Sequence, residues 1–248
     1  MFRFTFGYTE MVRKTPREVF SYKKKKFCLT QIQRSVLIGT MLGDGGLRYR
    51  GKECRLHIKH SFNQLSLVKY KWQVFEPIIS MKIRCFSQKV GEKDYNFAEF
   101  VTLTHPVFTQ YYQLFYKNTK KVVTEEVANL LDPLALAVWI MDDGSAEYAG
   151  LSIQTYSFSI DEVSLLIESI KKNIGIQTTM RMNKGKHIIY FPFSTMHELK
   201  SKLGKYLLPE FKYKLVPYRE KPRRDCTPDS SPLARNMIQS DLCSNVQS

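Results

Sequence analysis

Two segments of this chain read as copies of one another. Leu37-Ile-Gly-Thr-Met-Leu-Gly-Asp-Gly45 and Leu136-Ala-Val-Trp-Ile-Met-Asp-Asp-Gly144 are each an apolar run closed by an aspartate and a glycine, and Asp44 and Asp143 stand 99 residues apart. A repeat of that size in a chain of 248 residues restricts the fold to two similar halves sharing one body. If the halves pack about a pseudo-twofold axis through these helices, the two aspartates meet at one end of it. Carboxylates held side by side repel unless a proton or a cation separates them. Hard oxygen donors of this kind suit Mg²⁺.

Local chemistry marks both helices. Thr30 can cap the first while Gln33 reaches back as its capping-box partner. The Gly43-Asp44-Gly45-Gly46 cluster predicts its end, with glycine in the left-handed conformation that closes a helix. Asp132-Pro133 supplies an aspartate cap and a first-turn proline for the second helix, and Gly144 ends it. A further helix is opened by Ser159 with Glu162 and closed near Gly175.

After each motif the pattern changes to period two. Arg55, His57 and Lys59 alternate with Leu56 and Ile58. Lys82 and Arg84 alternate with Met81, Ile83 and Cys85, and Thr179, Arg181 and Asn183 with Met180 and Met182. Each set predicts a strand with one basic or amide face and one core face. The turn Asn183-Lys184-Gly185-Lys186 leads into a strand from His187 to Phe191. His57 and His60 have H-x-x-H spacing but fall on opposite faces of a strand, so one faces out and the other is structural. Trp72 and Trp139 read as core packing. The order in each half is helix, strand pair, helix, strand pair, helix. The predicted fold is therefore α+β, two pseudo-symmetric αββαββα halves packed through the motif helices, their antiparallel sheets forming a saddle.

Thirty-eight Lys and Arg against 23 Asp and Glu give a formal charge of +15, a field that attracts polyanions, nucleic acid first among them. Basic and amide side chains on a sheet face can contact phosphates and base edges in a major groove. No apolar run approaches the roughly 20 residues needed to span a bilayer, so no membrane partner is expected. Five scattered cysteines without a C-x-x-C pair predict reduced thiols rather than a disulfide framework or zinc knuckle. The expected domains are a basic arm over residues 1–28, half-domains over 29–125 and 126–220, and an irregular Pro/Ser-rich tail over 221–248.

These features resemble the LAGLIDADG homing endonucleases, in the single-chain, two-motif form of organellar introns, from about Thr30 to Tyr218. Pro133-Leu-Ala-Leu-Ala-Val-Trp-Ile-Met-Asp-Asp-Gly-Ser145 is similar to the family's second motif almost throughout. Asn118-Thr-Lys-Lys121 and Leu207-Leu-Pro-Glu-Phe-Lys-Tyr-Lys-Leu215 sit where the family carries one active-site lysine per half. The resemblance implies that Asp44 and Asp143 are metal ligands, with main-chain carbonyls of Gly43 and Asp142 adding to them, and that Lys121 and Lys214 are catalytic. The Asp142 side chain is expected to cap or hydrogen-bond locally.

Double-stranded DNA is the implied partner. Arg48, Arg50, Arg55, His57, Lys59, Lys82 and Arg84 are its expected contacts in the first half, and Gln154, Tyr156, Thr179, Arg181, Asn183, Lys184 and Lys186 in the second. The implied activity is Mg²⁺-dependent cleavage of a long pseudo-palindromic site with 3′ overhangs by a monomer. Mn²⁺ is expected to substitute, and Ca²⁺ to support binding without cleavage. An RNA maturase that binds its host intron is the alternative, and a catalytically silent DNA-binding regulator a third reading. An organellar location follows from the resemblance alone. Two departures stand out. Val138 and Asp142 occupy the places matching Gly39 and Gly43, which makes the helix interface asymmetric, and in the strand expected over Ile153-Gln-Thr-Tyr-Ser-Phe158 Tyr156 stands where relatives often place glutamine.

Overall fold

The structure, a computed structural model, describes residues 27–79 and 81–220. The N-terminal arm up to residue 26 and the tail from residue 221 lie outside the described residues. The first half comprises α1 (Gln31–Leu42), β1 (Gly46–Arg50), β2 (Glu53–Ser61), α2 (Leu65–Phe75), β3 (Arg84–Val90), β4 (Lys93–Val101) and α3 (Pro106–Phe115). A short hairpin, β5 (Tyr116–Lys117) with β6 (Lys120–Lys121), and the short helix α4 (Glu125–Asn129) lead to the second. There α5 (Pro133–Asp143), β7 (Gly144–Glu147), β8 (Gly150–Gln154), α6 (Ile160–Ser169), β9 (Thr179–Asn183), β10 (Lys186–Pro192) and α7 (Phe193–Leu203) repeat the series. The two four-stranded antiparallel sheets run β1-β2-β4-β3 and β7-β8-β10-β9, one topology used twice.

The caps form as the local chemistry dictates. Gln33 N donates to Thr30 Oγ1 at 3.2 Å while the Gln33 side chain accepts from Thr30 N at 2.9 Å. Asp132 accepts from Ala135 N at 2.8 Å. Ser159 and Glu162 form the second capping box, and that helix widens into a π-turn over Ile170–Ile174 before Gly175 closes it at φ +80°. The turn between β9 and β10 places Lys184 and Gly185 at φ +49° and +73°, the two-residue geometry that matches strand twist.

α1 packs along α5 through small residues. A Cβ on Gly39 would lie 2.2 Å from the Ala135 carbonyl oxygen, and one on Gly43 would lie 2.5 Å from Asp142 Oδ2. The glycine-rich end of α1 therefore serves close approach rather than reversal. Gly43 has φ −93°, not the left-handed value expected of a closing glycine. α5 is buried on all sides from Ala135 to Met141, as befits an apolar helix at the centre of a core.

Three strand expectations need correction. β3 begins at Arg84, so Lys82 and Met81 precede it, and Met81 is exposed. Met182 sits near the tip of the β9–β10 hairpin, past the reach of the core, and is also exposed. β8 stops at Gln154, which leaves Tyr156 in the following turn, where its hydroxyl accepts from Asn183 Nδ2 at 2.9 Å.

Candidate active site

The two motif helices end side by side. Asp44 lies in the turn after α1 and Asp143 is the last residue of α5. A third carboxylate, Asp142, lies against Gly43 at the crossing. Burial, reinforced by the charges of Asp44 and Asp142, pushes the Asp143 carboxyl up to about 7, against the hydrogen bond that Trp139 Nε1 donates to Asp143 Oδ2 at 3.2 Å. A hydrogen bond from His60 holds Asp44 below the usual carboxylate range despite partial burial. Two acids, equivalent by the repeat, are thus shifted in opposite directions.

One lysine reaches each helix end. Lys121, on β6, donates to the Gly43 carbonyl at 2.8 Å. Lys214 donates to the carbonyls of Ile140 and Met141 at 3.0 and 2.6 Å. Carbonyls of the last turn carry the negative end of the helix dipole, so they attract ammonium groups. Burial lowers both lysines to about 8, the nearby aspartates offsetting part of the effect. The Gly43 carbonyl, expected as a metal ligand, thus serves Lys121 with one of its two lone pairs.

The chemistry of the donor set fits a small divalent cation. Among the described residues no group of three or more His, Cys, Asp or Glu side chains is arranged as a metal cage. Mg²⁺ does not need one, because it keeps several waters and binds through one or two carboxylates plus substrate phosphates. Asp44 and Asp143, whose charges interact across the helix end, would supply those carboxylates.

The Asp142 side chain does not cap locally. Lys71, buried in α2, donates to both its oxygens, at 2.6 and 2.8 Å. His60, expected to be merely structural, joins this pair to Asp44: Nε2 lies 3.3 Å from Lys71 Nζ, and Nδ1 lies 3.4 Å from Asp44 Oδ2 and 3.0 Å from Gln64 Oε1. Trp139, read as packing, contacts Asp143. Sequence reasoning missed Lys71 altogether. The signal was present, since Val68, Lys71 and Phe75 share the buried stripe of α2, and a lysine there demands a buried anion.

Strand register places Arg48, Arg50, Arg55, His57, Lys59 and Arg84 on one face of the first sheet. The same face carries Glu99, which sequence reasoning missed; it binds His57 Nε2 at 3.1 Å and Arg84 Nε at 3.0 Å. Lys59 lies 4.0 Å above the Phe97 ring and donates to Gln88 at 2.8 Å. In the second sheet Gln154, Thr179, Arg181, Asn183 and Lys186 share one face, while Lys184 sits in the turn. The Arg181 guanidinium stacks 3.2 Å from the Tyr190 ring. Arg55 Nε and Gln154 Oε1, one on each face, are buried with no hydrogen-bond partner.

Known proteins share this architecture and its motifs. The LAGLIDADG DNA endonuclease family model matches residues 34–199. Intron-encoded endonuclease 1 of Wickerhamomyces canadensis is 26% identical over 205 residues, 79% of this chain and 88% of that one. Intron-encoded endonuclease ai4 of Dictyostelium discoideum is 39% identical over 50% of this chain and 79% of its own. The cytochrome b mRNA maturase bI2 of Debaryomyces hansenii is 29% identical over 74% of this chain and 73% of its own. Among solved structures, the homing endonuclease I-WcaI bound to its DNA recognition sequence superposes with a TM-score of 0.75 at 25% identity, covering 84% of this chain and 97% of that one. With the repeated motif, the doubled sheet topology and the family match all in agreement, the chain belongs to the LAGLIDADG DNA endonuclease family.

Proposed function

We propose that this protein is a divalent-metal-dependent homing endonuclease that cuts both strands of a long pseudo-palindromic duplex site, leaving 3′ overhangs, as a monomer within an organelle. The observation that carries this reading is the pairing of one aspartate and one lysine at the end of each motif helix. Relatives named as intron-encoded endonucleases, and a DNA-bound structural neighbour, support it.

Asp44 and Asp143 would hold the metal, Mg²⁺ in the cell, with the main-chain carbonyls of Gly43 and Asp142 as further donors. The ion supplies Lewis acidity at the scissile phosphate and lowers the pKa of the attacking water. Lys121 and Lys214, lowered to about 8, stay largely ammonium near neutral pH with a minor share of amine. As ammonium each stabilises charge on a phosphoryl oxygen, and as amine each can accept a proton from the incoming water. The two sheet faces supply phosphate contacts and base readout. Because they carry different side chains, the half-sites are read differently.

The test is selection of a randomised duplex pool on the protein in Ca²⁺, followed by Mg²⁺ or Mn²⁺ and mapping of the new ends. Staggered double-strand breaks at one sequence, absent in Ca²⁺ and in Asp44→Asn, support the reading. Selected duplexes that stay intact with either metal sink it. The second reading, an intron RNA maturase, is favoured by the relative of that name. Splicing that survives Asp44→Asn while cleavage is lost would establish the two roles as separable.

A further inference from the structure

The Asp44 side of the site contains a buried polar network that its repeat lacks. The Lys71, Asp142 and His60 side chains are fully buried. A constant offset of 95 residues relates β2 and α2 to β8 and α6, and it matches His60 with Thr155 and Lys71 with Leu166. At the helix crossing, Gly43 matches Asp142. So the first half contributes a glycine that makes room for a carboxylate of the second motif, and that carboxylate enters the first half to meet Lys71. Among the described residues nothing equivalent reaches Asp143, which takes a hydrogen bond from Trp139 instead.

The geometry gives this network a direction. Lys71 has only protons to donate, so His60 Nε2, 3.3 Å away, must accept. That fixes the ring proton on Nδ1, the nitrogen that faces Asp44 Oδ2 and Gln64 Oε1. Asp142 neutralises Lys71 and anchors it from across the pseudo-twofold axis. Buried ion pairs add little net stability compared with apolar packing of similar volume, so retention of one beside a reacting centre calls for another reason. Metal-site carboxylates and imidazoles depend on such outer partners for orientation.

We propose that Lys71, Asp142 and His60 are positioning residues for Asp44, so that the metal site of the first half is set by a residue of the second motif while Asp143 is set locally. This rests on the reading of Asp44 as a metal ligand. The two strand cuts are then unequally dependent on the network. Disturbing it slows one strand and weakens metal binding on that side, leaving a nicked product.

The test uses the full chain with Lys71→Met/Asp142→Asn, which removes both buried charges together, and with His60→Gln as a second variant. Tb³⁺ luminescence excited through Trp139 reports metal binding without DNA cleavage, and strand-specific end labels report each cut. The expected result is a shift of at least tenfold to higher metal concentration in one phase of the Tb³⁺ titration. It is accompanied by a slowing of at least tenfold of one strand, the same strand in both variants, and of less than threefold for the other. Unchanged Tb³⁺ titrations would overturn the proposal, as would equal slowing of both strands. Should the unaltered protein fail to cut any duplex, the nuclease reading falls by itself, and the Tb³⁺ titration still decides whether the network positions a cation-binding carboxylate.

Discussion

Asp143→Asn should make the metal-free protein more stable while abolishing its chemistry. The Asp143 carboxyl lies at about 7 in the folded chain against an ordinary value of 3.8, because it is buried beside Asp44 and Asp142. Between those values the folded state holds a proton that the unfolded state has released, so stability falls as pH rises through this window and the whole penalty is present above it. Three pH units at about 1.4 kcal/mol each give about 4 kcal/mol. The lysine charge is already contained in that value, and partial solvent screening reduces the figure to about 2–3 kcal/mol. Asparagine keeps the shape and can still accept from Trp139 Nε1. In EDTA at pH 8 the variant should melt about 5–10 °C above the unaltered protein, with the gap closing as pH falls toward 4. Added Mg²⁺ should raise the melting temperature of the unaltered protein more than that of the variant. A variant that melts at the same or a lower temperature in EDTA at pH 8, or a gap independent of pH, would refute the reasoning.

Further consequences follow from the same contacts. Lys71→Met alone strands the Asp142 carboxylate in the core and should cost about 3–5 kcal/mol in urea unfolding, most of it recovered in Lys71→Met/Asp142→Asn. Gly39→Ala places a methyl group 2.2 Å from the Ala135 carbonyl oxygen; forcing α1 from α5 should cost about 1–3 kcal/mol and slow cleavage, read by thermal melting and end mapping. If the two basic faces engage about 6–10 phosphates, affinity for the selected duplex should fall by roughly 10³–10⁵ between 50 and 200 mM salt. A flat salt titration would contradict the DNA interface.

The parts of the fold written in local chemistry were legible. Capping boxes at Thr30 and Ser159, Asp132-Pro133, and the alternation around Leu56 and Ile58 placed their helices and strands because each signal spans only a few residues. The tips were harder. Met81 and Met182 continue an alternating pattern past the place where a core exists to receive them. The site divided in the same manner. Asp44 and Asp143 announce themselves by repetition, whereas Lys71 acquires meaning only when α2 folds its buried stripe onto Asp142, 71 residues away. Glu99 hides for a related reason: its partners His57 and Arg84 come from two other strands of the sheet.

The most direct test of the shared-carboxylate site is a crystal structure of the protein on its selected duplex with Mn²⁺, with the ions located by anomalous scattering. The account predicts density at about 2.0–2.2 Å from carboxylate oxygens of both Asp44 and Asp143, against the scissile phosphates. Ions bound away from these two residues, with Asp44 and Asp143 contacting only protein, would contradict it.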